Sequence, residues 1–190
     1  ITAVSDVMTP RILVAFSLLA VFPLVAKKVL SYLKLKRLEA RFKKPKSFDY
    51  NLVVIGAGAG GLVSAYIAAA VKAKVALIEK HRMGGDCLNT GCVPSKALIR
   101  TAKAVATELR AKELGLESVE VKFDFAKVME RVQRVVKAIE PHDSVERYTA
   151  MGVECISGHA LIKSPFEVEV AGRILTTKNI VIATGGSPLV

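Results

Sequence analysis

Cysteine is scarce: three residues in a chain of 190 cannot knit a secreted disulfide scaffold. Histidine is equally rare, and only a lone His81 lies near the cysteines, so a resident zinc set is not expected. No internal repeat and no low-complexity tract occurs, which argues against solenoids and compositionally biased tails. Acidic residues are missing from one place in particular. Between Lys27 and Lys46 there are nine basic residues and a single acid, Glu39, whereas Ser47–Val190 holds 18 basic and 15 acidic residues. The net charge of +11 is therefore concentrated beside an apolar run and not spread over a domain face, so nucleic-acid binding is not expected.

What is present in excess is apolar surface. A hydrophobic fraction of 52% and a mean hydropathy of +0.39 point to a very apolar core or a membrane segment. The length allows one ordinary domain and an appendage. The chain opens on Ile1 and stops just after Gly185-Gly186-Ser187-Pro188, so a fragment of a longer protein is expected. Ile12–Ala26 is a run of 15 residues without charge, flanked by Arg11 and by Lys27-Lys28. A spanning helix needs about 20 apolar residues, and snorkelling lysines with Val29-Leu30 could supply the difference. A transmembrane helix is the expected reading; a signal peptide and a core or interfacial helix are the alternatives. If the helix spans, the basic cluster after it places the rest of the chain in the cytoplasm and suits anionic headgroups.

Beyond Pro45 the pattern becomes α/β. Tyr50–Ile55 is a continuous apolar, β-branched run, as in a buried parallel strand. It enters Gly56-Ala57-Gly58-Ala59-Gly60-Gly61, then an Ala-rich helix to about Lys72, then a second strand, Val75–Ile78, ending at Glu79. That is a βαβ unit. Helices are expected over Ser95–Leu114 and Asp124–Ile139, the latter from the spacing of Phe125, Val128, Met129, Val132, Val135, Val136 and Ile139. Short strands are expected at Val153–Ile156, Ala160–Ile162, Glu167–Val170 and Ile180–Ala183.

Gly56 permits a tight exit from the strand, Gly58 a close approach to a pyrophosphate, and Gly61 close helix–strand packing. The phosphates would rest on the helix N-terminus. Glu79 lies 18 residues beyond Gly61 and is placed to accept hydrogen bonds from a ribose diol. The turn alone does not separate FAD from NAD. Five residues after Glu79 begins Gly84-Gly85-Asp86-Cys87-Leu88-Asn89-Thr90-Gly91-Cys92-Val93-Pro94-Ser95-Lys96. Two thiols spaced C-x4-C in this setting are redox-active or metal-binding before they are structural. Pro94 suits a first helical turn, and a helix N-terminus lowers the pKa of a nearby thiol. Cys155, on an expected strand, reads as a small buried apolar residue. His142 and His159 carry no motif.

The segment from Gly84 to Lys96 resembles the active-site segment of the class I pyridine nucleotide-disulfide oxidoreductases: glutathione reductase, dihydrolipoamide dehydrogenase and mercuric reductase. Gly158-His159-Ala160, followed by Ile182-Ala183-Thr184-Gly185-Gly186, resembles the adenine-side contact and the A-T-G flavin motif of the same family. The resemblance covers about Asp49 to Val190. It implies a Rossmann-like FAD-binding domain, a parallel sheet with helices and a small antiparallel β element. FAD would be bound by Gly56, Gly58, Gly61, Glu79, Gly85, Ala160, Thr184 and Gly185, although strand packing is the other reading of Ala160. Cys87 would be the interchange thiol, Cys92 the charge-transfer thiol, and Lys96 a cation near the flavin ring. The family commonly has Thr where Asp86 stands, and a carboxylate there would repel pyrophosphate, so Asp86 is left out of the FAD contacts.

The implied activity is NAD(P)H-dependent reduction of a disulfide or metal ion, mercuric-reductase-like, or a dihydrolipoamide dehydrogenase-like reaction. A membrane-tethered FAD/dithiol electron-transfer module is the alternative class. NAD(P)H would act through a further domain, and the full-length protein would be a homodimer. The hydrophobic helix, basic linker and FAD domain together resemble bacterial fusions of a DedA-like (SNARE-associated) membrane domain to a mercuric-reductase-like flavoprotein, implying an inner-membrane anchor with the FAD domain facing the cytoplasm. The expected organisation is a transmembrane helix with its flanks over 1–33, a basic linker over 34–48, and an FAD domain with redox disulfide over 49–190.

Overall fold

The computed structural model describes residues 10–117 and 120–187. Residues 1–9 and 188–190, at the outer ends of the expected first and last segments, lie outside the described residues. The chain divides into two compact units, one ending at Lys44 and one beginning at Pro45.

The first unit is a single helix, α1 (Pro10–Glu39), with Pro23 inside it and Lys36 and Arg37 in its last turn. Thirty residues at 1.5 Å each make it about 45 Å long. Lys34–Glu39 are helical, so the helix runs into the stretch expected to be linker. Lys, Arg and Leu are good helix formers, and a change in charge does not end a helix. Within Val14–Glu39 an 18-residue window reaches a mean hydropathy of 1.8, and none of that window is buried.

The second unit is a three-layer α/β fold. A parallel sheet has the order β3-β2-β1-β7, from β1 (Leu52–Ile55), β2 (Val75–Glu79), β3 (Val153–Ser157) and β7 (Ile180–Ile182). α2 (Ala59–Ala70) connects β1 to β2. Between β2 and β3 come α3 (Gly85–Asn89), α4 (Cys92–Leu109), α5 (Phe125–Ile139) and α6 (Val145–Ala150). β4 (Leu161–Ser164), β5 (Glu167–Val170) and β6 (Arg173–Thr176) form a separate antiparallel sheet.

Strand alternation builds the layers. Val54, Val75, Leu77 and Val153 meet Leu62, Ala65 and Ala69 of α2 and Tyr148 of α6. Val53, Ile55, Ala76 and Ile78 point the other way, onto Val168, Val170 and Leu175 of the antiparallel sheet. Both faces of the parallel strands are covered, which is why they read as unbroken apolar runs. Small Ala residues on the inner face of α2 let it lie close to the sheet.

Three elements escaped the sequence reading: α3, α6 and β6. The helix expected over Ser95–Leu114 begins earlier, at Cys92, and breaks at Arg110 before a 3₁₀ turn at Ala111–Leu114. Cys155 is half-buried on β3, packed against the α2-side core and less enclosed than expected.

Candidate functional site

The site lies where the parallel strands end. β1 runs into Gly56, whose φ of +101° is the left-handed conformation that glycine tolerates. A Cβ on Gly56 would sit 2.3 Å from the carbonyl oxygen of Ala183, at the exit of β7. Gly61 is packed as tightly: its Cβ would meet the Gly56 oxygen at 1.8 Å, so a side chain there would push α2 off the turn. The turn is held by main-chain bonds from Gly56 N–H to Ile78 O (2.8 Å) and from Ala183 N–H to Ile55 O (2.8 Å).

Glu79 closes the arrangement at the end of β2. Its Oε2 accepts from the Ala57 N–H at 2.6 Å and its Oε1 from the His81 N–H at 2.8 Å. A carboxylate has about four acceptor sites, so two remain for a ligand hydroxyl. Gly84 N–H donates to Ala57 O at 2.9 Å and brings the thiol-bearing segment against the glycine turn. At Gly85, with φ +53°, a Cβ would lie 2.7 Å from Gly58 Cα, so the two backbones close on each other only because residue 85 is glycine.

Around these residues lies a cleft of about 440 Å³, lined among others by Gly56, Gly58, Glu79, Gly85, Thr184 and Gly185. A smaller pocket of about 100 Å³ is lined by Gly56, Glu79, Thr184 and Ala160 together with His159. Six of the eight residues expected to bind FAD therefore line the larger cleft, Ala160 lines the smaller, and Gly61 acts through packing. Asp86, expected beside the phosphates but left out of the FAD contacts, lines the larger cleft, as do Lys80, His81 and Arg82, and His159 lines the smaller, although sequence reasoning gave these last four no such place. The three consecutive basic residues after Glu79 were the available signal. The donor set suits FAD: a Cβ-free cradle at the opening of α2 for phosphates, a carboxylate with acceptor capacity for a ribose, and a narrower pocket beside Ala160.

The thiols sit beside this cleft. Cys87 is half-buried in α3, and Cys92 is the exposed first residue of α4, both as free thiols. The connection between them is tight, with Thr90 N–H and Gly91 N–H both donating to Asp86 O, at 2.9 and 2.6 Å. A Cβ on Gly91 would fall 2.9 Å from that same oxygen. The helix N-terminus expected to favour a thiolate is that of α4, where Cys92 stands, whereas Cys87 lies in α3. Its pKa is raised, first by the hydrogen bond with the Cys92 side chain, then by burial and the Cys92 charge; Lys96 pulls it down less strongly. Lys96 is exposed, one helical turn beyond Cys92, so both project from one face of α4. α4 is in turn fixed to α5, because Arg131 donates to Ala97 O at 2.8 Å.

Residues 50–190 match the family model described as pyridine nucleotide-disulphide oxidoreductase. A dihydrolipoyl dehydrogenase of Acholeplasma laidlawii is 41% identical over 145 residues, covering 76% of this chain and 43% of that protein. One of Mycoplasma pneumoniae is 37% identical, covering 74% of this chain and 31% of that protein. A mercuric reductase of Bacillus cereus is 33% identical, covering 80% of this chain and 24% of that protein. The chain thus spans between a quarter and under half the length of these relatives.

Proposed function

The chain belongs to the pyridine nucleotide-disulphide oxidoreductase family, flavoproteins that use FAD and NAD(P)H, and on that footing we propose that it is the FAD-binding, dithiol-bearing part of an enzyme exchanging electrons with a small dithiol or disulfide. The observation that carries the reading is the junction of α3 with the glycine turn, which seats Asp86, the sequence neighbour of Cys87, in the cleft wall.

Bound FAD supplies a two-electron relay between NAD(P)H and the thiols. The chain's own residues do the rest. Gly56, Gly58 and Gly85 would admit the pyrophosphate against the opening of α2, Glu79 would accept from the ribose, and Thr184 and Gly185 would complete the cleft wall around the cofactor. In the reductive direction the Cys87 thiolate attacks one sulfur of the substrate disulfide, and the first substrate thiolate leaves. The Cys92 thiolate then attacks Cys87 in the mixed disulfide, releasing the second substrate thiolate and leaving a Cys87–Cys92 disulfide. Two electrons pass to the substrate, and each released thiolate takes a proton. Lys96 offers the positive charge that favours thiolate over thiol.

The dihydrolipoyl dehydrogenase relatives favour a dithiol substrate such as dihydrolipoamide. A soft metal ion is the second reading, supported by the mercuric reductase relative and by two free thiols on the adjoining helices α3 and α4. We also propose a homodimeric full-length protein, and membrane anchoring through α1, supported by an apolar stretch exposed on every side and followed by basic residues. The substrate reading is tested by mixing the reduced chain with lipoamide disulfide and following its mass. Loss of two hydrogens in the chain, with mixed disulfide accumulating in Cys92→Ser and not in Cys87→Ser, is the expected result. A chain that stays reduced while binding mercuric ion between the two thiols would move the assignment to the metal.

A further inference from the structure

The cleft suited to a pyrophosphate also holds a carboxylate that forms no ion pair among the described residues. Asp86 lies in the first turn of α3 and lines the larger cleft together with Gly56, Gly58, Gly85 and Thr184. Its side chain is exposed, and its one side-chain hydrogen-bond partner among the described residues is the Thr90 hydroxyl, at a long 3.5 Å. Lys80 and Arg82 line the same cleft, yet neither pairs with Asp86 among the ion pairs of the described residues. The backbone of Asp86 is pinned, because its carbonyl accepts from both Thr90 and Gly91 N–H, so the residue cannot swing away as a unit.

Glu79, the other acid of this cleft, is in a different position. Both of its oxygens are engaged by main-chain N–H groups, and its remaining acceptor capacity suits a sugar hydroxyl. Asp86 has no such employment. A pyrophosphate entering the cleft that Gly58 and Gly85 line comes into the same space as a second anion of like sign, and the attraction of Lys80, Arg82 and the α2 opening must exceed that repulsion.

We infer that Asp86 sets the affinity of this protein for its dinucleotide by opposing the pyrophosphate charge, so that FAD is held more loosely, and more dependently on salt, than a neutral residue at this position would hold it. The inference rests on the FAD reading of the cleft. It concerns the electrostatics of loading and not the thiol chemistry: Asp86 takes no part in electron transfer.

The test is titration of the flavin-free chain with FAD, following quenching of flavin fluorescence, for the unaltered protein, Asp86→Asn and Asp86→Thr. Glu108→Gln, an exposed acid on α4 that lines neither pocket, controls for the change in net charge. At low ionic strength both Asp86 variants are expected to bind FAD about three- to tenfold more tightly than the parent, the size of a partly screened charge pair. The gap should close to less than about twofold near 1 M salt, where the screening length is about 3 Å. Glu108→Gln should track the parent throughout. Equal or weaker binding by Asp86→Asn, with Asp86→Thr agreeing, overturns the inference, since the carboxylate would then be neutral towards the cofactor or a contact to it. Absence of FAD binding in every protein, parent included, sinks the FAD reading itself and the inference with it.

Discussion

Single residues carry the close approaches that make this cleft. Gly56 combines a φ of +101° with a Cβ position 2.3 Å from the Ala183 oxygen, and backbone on both sides leaves nothing flexible to yield. Gly56→Ala is therefore expected to lower the unfolding free energy by more than about 2 kcal/mol and to lose FAD binding, read by urea unfolding and by flavin titration. Unchanged stability would show that the turn rearranges easily and that its conformation is not a constraint. The role of Glu79 was legible at this scale, because an acid at the end of the second strand is a matter of spacing. Its clamping of Ala57 and His81 N–H was not, since it exists only once β2 and the turn have closed on each other. The same applies to Asp86. Motif reasoning set it aside as a misfit, whereas its place in the cleft wall depends on how α3 docks against Gly58. His159 had no motif, and reaches the smaller pocket because Gly158 N–H binds Glu79 O at 2.9 Å.

Elements with long, regular apolar spacing were read correctly in type. β1 and β2 are unbroken apolar runs buried on both faces, while α2 and α5 carry apolar residues over several turns, and each signal is local. The elements missed are short or lack such a face. α3 has five residues and is formed by the turn that joins the two cysteines; β6 is half exposed and gains order by pairing with β5. α1 is the element whose environment matters most. Its large apolar side chains from Val14 to Leu38 are exposed all around the helix, unlike an amphipathic surface helix with one apolar stripe. The whole chain is expected to stay with bacterial membranes through alkaline carbonate washing and to be released into the supernatant when Leu18, Leu19 and Phe22 are all changed to Gln. Extraction of the unaltered chain by carbonate would rule out a spanning helix and favour a peripheral, lipid-surface role for the basic stretch after it.

At the scale of the whole molecule, the cleft sits at the carboxyl ends of β1, β2 and β7, where an open parallel sheet leaves its crevice. The antiparallel sheet seals the opposite face of the strands and delivers Ala160 to the smaller pocket. The long excursion between β2 and β3 carries the thiols, so one fold places a dinucleotide cradle and a dithiol side by side. That architecture was legible from the order of three motifs, because each is tied to a strand end; the basic side of the cleft was not, because Lys80, His81 and Arg82 lie between the motifs. The central claim, a flavin facing a working thiol pair, is tested most directly by anaerobic two-electron reduction of the FAD-loaded chain, watched in the visible spectrum beside Cys92→Ser. A long-wavelength thiolate-to-flavin charge-transfer band in the unaltered protein, absent from the variant, is the predicted result. Flavin that binds and bleaches with no such band in the unaltered protein would contradict it.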